Sequence, residues 1–79
     1  MNDAVKSLYI TINSISDVTE FVQHASQVFG DVAVQKGRFV VDGKSIMGMF
    51  SLDLSNGATV FYPIDATKFE DYVKKFKAE

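Results

Sequence analysis

Few residues in this chain are equipped for covalent chemistry. His24 is the single histidine and there is no cysteine. An imidazole near neutrality can move protons or carry a group. His24, however, falls more than a turn inside an apolar-periodic segment, at the edge of its apolar stripe beside Val28. That position offers no helix-end donors to hold an anion, so His24 reads as a boundary histidine. Asp17 and Glu20 stand three apart at the start of the same segment and read as helix caps, not as an acid–base pair. One histidine on a helix assembles no Ser–His–Asp set. With no thiol and no tight carboxylate cluster, no metal site is expected. The glycines form no GxxxxGK[ST] loop, and no cofactor is expected. What remains is recognition, and it concentrates in "DGKSIMGMFSL", Asp42 to Leu52. Ser45 is placed to cap a short helix there, and the apolar residues behind it point in almost every direction.

The composition frames that reading. Seventy-nine residues predict one domain, 1–79, with a modest core. A chain that is 47% hydrophobic and 23% charged folds and is not disordered. A net charge of -2 gives no footprint for nucleic acid. The basic run "KKFK" near the C-terminus reads as the solvated end of a helix. Absence of cysteine fits a reducing compartment. "MNDAVKSLYI" lacks a charged leader followed by an apolar run, and no stretch approaches membrane-spanning length. The expected location is cytoplasmic, with no membrane contact.

Periodicity orders the elements. "SLYITINS" alternates, with Leu8, Ile10 and Ile12 on one face and Tyr9 and Thr11 on the other. "SDVTEFVQHASQVFGD" switches to helical spacing through Val18, Phe21, Val22, Ala25, Val28 and Phe29. Asp17 with Glu20 is its expected capping box, Ser16 the rival cap, and Gly30 the C-terminal stop. "DVAVQKGRFVVDG" reads as a hairpin turning at Lys36-Gly37. Asn56-Gly57 marks a turn, "ATVFYP" a strand closed by Pro63. "DATKFEDYVKKFKAE" is a last amphipathic helix, with Phe69, Tyr72, Val73 and Phe76 on one side and Thr67 with Glu70 as capping box. The order predicts an α+β fold, a four-stranded antiparallel sheet with three helices on one face.

In the short helix, Ile46 set at zero puts Phe50 at about 40° and Met47 at about 100°. Met49 then lies near 300° and Leu52 near 240°, roughly opposite. If Met49 and Leu52 face the core, then Ile46, Met47 and Phe50 face away. An exposed patch of this kind marks a docking surface. Burial in the core, or a contact between two copies, is the other reading that periodicity allows. Gly48 lets another surface come close.

"KSIMGMFSLDLSNGATV" resembles the HPr family, the small phosphocarrier proteins of the bacterial sugar phosphotransferase system, which typically show "KSIMGVMSL" followed shortly by "GA". "VQHASQVFGDVAV" is similar to that family's first helix and second strand, and the likeness runs in register over roughly residues 6 to 62. The last helix matches in type but not in sequence. The resemblance implies an HPr-like open-faced β-sandwich, βαββαβα. It also implies that Ile46, Met47 and Phe50, with Lys44, contact protein partners.

The family carries "GIHARPA" before its first helix, where this chain has "NSISDVT". Ser14 stands at the histidine position, Ser16 at the arginine position and Asp17 at the proline position. Asp17 adds negative charge where a phosphate would sit. A phosphoserine ester is far less ready to leave than a phosphoramidate, so Ser14 would be a poor relay. Ser45 is retained. In many members it is phosphorylated by HPr kinase, and a phosphate there would add about -1.5 to -2 of charge at a helix start, next to Lys44. The chain resembles catabolite-repression HPr-like proteins, which lack the active histidine and, as phosphoserine forms, bind a transcriptional regulator. The implied partners are proteins of the phosphotransferase system, HPr kinase or a regulator. Two alternatives stay open: a component that still docks enzyme I or the sugar permeases, and a structural homodimer subunit. A monomer or weak homodimer is expected.

Overall fold

The computed structural model describes residues 4–78; the expectations drawn for residues 1–3 and 79 lie outside the described residues. The chain runs β1 (Val5–Ile10), α1 (Ile15–Ala25), β2 (Ala33–Lys36), β3 (Phe39–Asp42), α2 (Ile46–Phe50), β4 (Ala58–Pro63) and α3 (Thr67–Val73), with single 3-10 turns at Leu54–Asn56 and Lys74–Phe76. The strands form one antiparallel sheet in the order β1-β4-β2-β3. This is the α+β arrangement predicted from the order of periodicities.

Alternation sorts the sheet into two faces. Ile10, Val34, Val60 and Tyr62 point to the helices and are buried. Tyr9, Thr59, Gln35 and Val40 lie in one cross-strand row on the opposite face. Phe21, Ile10, Met49, Val32 and Val73 are among the fully buried side chains between sheet and helices. Each contributes about 1.5–3 kcal/mol by leaving water. Phe69 joins α3 to this core, edge-on to Phe21 at 5.5 Å and to Tyr62 at 5.7 Å.

Several boundaries differ from the periodic reading. α1 is capped by Ser14, whose Oγ accepts the Asp17 N–H at 3.0 Å. The cap is therefore Ser14, not Asp17 or Ser16. Glu20 turns instead to Lys75, at 3.0 Å. α1 also ends at Ala25, and only isolated turn bonds carry on through Val28. Phe29, expected on the apolar stripe, is fully exposed, and Gly30 stands beyond the helix end. In α3 the cap is Ala66, without a side-chain bond, so Thr67 is the first helical residue and no capping box forms. The β2–β3 turn is Gly37-Arg38, one residue later than expected, with Gly37 at φ 60. That conformation suits glycine at the first central position of a two-residue hairpin.

The C-terminal tail, expected as continuing helix, closes one edge of the sheet. The Thr11 N–H donates to the Phe76 carbonyl and the Ala78 N–H to the Tyr9 carbonyl, both at 2.9 Å. Gly57, at φ 95, leads into β4 with the Tyr9 ring packed where a Cβ would stand. That crowding, added to the backbone angle, makes glycine the required residue there.

Three carboxylates stabilise the fold at neutral pH. Lys6 first, then the Tyr62 hydroxyl, hold Glu70 below its usual value of 4.5. Lys75 does the same for Glu20, and Ser55 with Asn56 for Asp53. Burial, with the Glu70 carboxylate, pushes the Tyr62 hydroxyl up to about 12. Lowered folded-state values mean that the stabilisation is complete above the unfolded values and is lost as pH falls through the folded ones. The melting temperature is expected to drop progressively as pH falls below about 5, and Glu70→Gln to flatten part of that fall. A melting temperature constant over this range would contradict the assignment.

Candidate docking surface and helix start

α2 sits beside the start of α1 and against β3. Ser45 is its N-cap, its Oγ accepting the Gly48 N–H at 3.1 Å. The backbone between β3 and α2 is tied by Asp42, whose carboxylate accepts the Lys44 N–H at 2.9 Å and whose carbonyl accepts the Ser45 N–H at 3.0 Å. This short path from strand to cap fixes the rotation of α2. Met49 is fully buried and Leu52 packs on the core, while Met47 is 80%, Phe50 48% and Ile46 37% exposed. The two sides divide as the helical angles predict. The surface that approaches Gly48 is internal: a Cβ there would stand 3.3 Å from the Cβ of Val41 on β3.

Lys44, expected at the partner contact, reaches back to the segment that follows α1. Its Nζ donates to the Val28 carbonyl at 2.9 Å, beyond the C-terminal end of α1. Its ammonium is thus engaged elsewhere than at the Ser45 hydroxyl.

At the start of α1, the Ser14 and Ser16 hydroxyl oxygens lie 3.1 Å apart and exposed. A groove of about 220 Å³ separates this helix start from α2; Asn13, Ser14, Ile15, Met49, Phe50 and Leu52 are among its lining residues. Ile15 is 75% exposed. Sequence reasoning passed over it because it precedes the apolar stripe, yet the groove joins it to Phe50.

His24 is half-buried on the α3 side of α1, its ring stacked on Tyr72 at 3.7 Å and 9°. Ten residues of helix place it about 15 Å from Ser14. Burial, reinforced by the nearby Glu20 carboxylate, raises the Tyr72 hydroxyl pKa above its ordinary value. A larger groove, about 450 Å³, opens beside His24 and Phe29 at the other end of α1. Among the described residues, no three His, Asp or Glu side chains converge as metal ligands. No helix among them is long and apolar enough to cross a membrane.

The family model described as "PTS HPr component phosphorylation site" matches residues 17–78. The chain belongs to the PTS-HPr family. Its match begins at Asp17, so Ser14 and Ser16 lie outside it. Two solved HPr structures share the fold. The phosphocarrier protein HPr from Bacillus anthracis str. Ames superposes with a TM-score of 0.75 at 21% identity, covering 96% of this chain and 100% of that one. HPr-C-His from Thermoanaerobacter tengcongensis gives 0.71 at 27% identity, covering 95% of this chain and 93% of that one. No curated protein matches the chain. In this member α2 and the start of α1 stand side by side, with Ser14 as the cap of α1.

Proposed function

We propose that this PTS-HPr family member is a regulatory protein-binding domain of the sugar phosphotransferase system, and neither a phosphohistidine carrier nor an enzyme. The observation that carries the reading is the pairing of an apolar α2 face, Ile46, Met47 and Phe50, with a helix start whose capping residue is Ser14. The surface suits docking to phosphotransferase-system proteins or a transcriptional regulator, through aromatic and methionine anchors. The helix start does not suit phosphoryl relay. Ser14 Oγ already accepts the Asp17 N–H, and the Asp17 carboxylate opposes an incoming phosphate. The reading places the protein in the cytoplasm, where those partners act.

Phosphorylation of Ser45 is the proposed control. The modification would place about -1.5 to -2 of charge within the docking face, beside Ile46. It would have to draw Lys44 away from Val28 and overcome repulsion from Asp42. Intact mass after incubation with HPr kinase and ATP tests this: one phosphate is expected on the wild type and none on Ser45→Ala. The substitution should also cost about 1 kcal/mol of stability through the lost cap. An unmodified wild type would remove the control and leave constitutive docking, to be tested by titration against enzyme I and the permease domains.

A further inference from the structure

We infer that the open edge of β3 pairs with β3 of a second copy of this chain, antiparallel and centred on Val40. The two sheet edges are unequal. The outer side of β1 is covered by the C-terminal tail through Phe76, Lys77 and Ala78. β3 lies at the other end of the sheet and, among the described residues, pairs with β2 alone. Edges left open are ordinarily guarded by lysine, proline or a bulge. β3 reads Phe-Val-Val-Asp, with Phe39 66% and Val40 61% exposed.

The register follows from the hairpin. With Gly37-Arg38 as a two-residue loop, Lys36–Phe39 and Val34–Val41 are the pairs that exchange hydrogen bonds with β2. The N–H and C=O of Val40 therefore point outward. A two-fold axis at Val40 lets each copy donate to and accept from the other at that residue. The same axis places Arg38 of each copy across from Asp42 of the other. Arg38 takes part in neither ion pair formed among the described residues. Asp42 presents only one carboxylate oxygen to the Lys44 N–H. The edge is thus complementary to itself in charge as well as in backbone, which is what an isologous contact requires. On the helix-covered side, Phe39 of one copy meets Val41 of the other. Four-residue strands make a small interface, so the dimer is weak and reversible.

This contact is separate from the α2 face, and the experiment distinguishes the two. Sedimentation from about 10 μM to about 1 mM is expected to show the average mass rising from monomer towards dimer, as for a Kd inside that range. Arg38→Glu, in the exposed turn, and Val40→Lys should both hold the protein monomeric with an unchanged circular dichroism spectrum. Met47→Asp should leave the dimer intact. Because the chain has no cysteine, Val40→Cys should oxidise to a linked dimer, its facing Cα atoms about 5.5 Å apart. Phe39→Cys, offset diagonally by about 7–8 Å, should not. A monomer at the highest concentration, a dimer that survives Arg38→Glu, or equal linking at Phe39 and Val40 would overturn the inference. If Val40→Lys fails to fold, Arg38→Glu and the cysteine pair decide.

Discussion

Met47→Asp is expected to weaken binding of the protein to its phosphotransferase-system partner by at least about 30-fold, with little change in stability. The side chain is 80% exposed and stands clear of the core cluster. Truncating a central anchor typically costs about 2 kcal/mol or more of binding, and a buried carboxylate adds desolvation to that loss. Surface substitutions away from such contacts leave folding within about 0.5 kcal/mol. Phe50→Ala and Ile15→Ala should weaken binding by smaller factors, since both border the same groove. Calorimetric titration against enzyme I checks the set. Unchanged affinity in Met47→Asp would move the docking surface off α2.

The neighbouring methionine behaves oppositely. Met49→Ala should destabilise the fold by about 2–5 kcal/mol. Met49 is fully buried, and the space it leaves lies among core residues held by the sheet. A chain of this length has a total stability of about 4–12 kcal/mol, so the loss is a large share. A fall in melting temperature of about 10 °C or more follows for a domain of this size. Chemical denaturation reads the difference directly. Equal stability losses at Met47 and Met49 would mean that α2 is rotated from the orientation described.

The contrast between these two residues shows what was legible in the sequence. A helix of five residues fixes its own angular spacing, so Met49 and Met47 could be assigned to opposite sides from geometry alone. The α+β arrangement was equally legible, because alternating and helical periods follow each other without ambiguity. Caps were less so. The Ser14 cap hides one turn before the first buried residue, and Val18 drew the expected start too late. Helix ends depend on packing: Phe29 keeps the helical spacing, but the chain has already left α1 at Ala25 to reach β2. Lys44 could not be placed from sequence, because its partner, the Val28 carbonyl, lies sixteen positions away across a strand pair. The exposed Ile15 and the open β3 edge are likewise products of tertiary arrangement. Their residue types look ordinary until the neighbouring elements are in place.

The decisive measurement is phosphoryl transfer from enzyme I. Enzyme I charged with phosphoenolpyruvate is mixed with the protein, and the intact mass is followed together with the acid lability of any phosphate gained. The account predicts no acid-labile phosphate, because Ser14 forms no phosphoramidate and His24 is stacked on Tyr72 far from the helix start. An acid-labile phosphate on His24, passed on to a permease domain, would contradict it and make the protein a carrier.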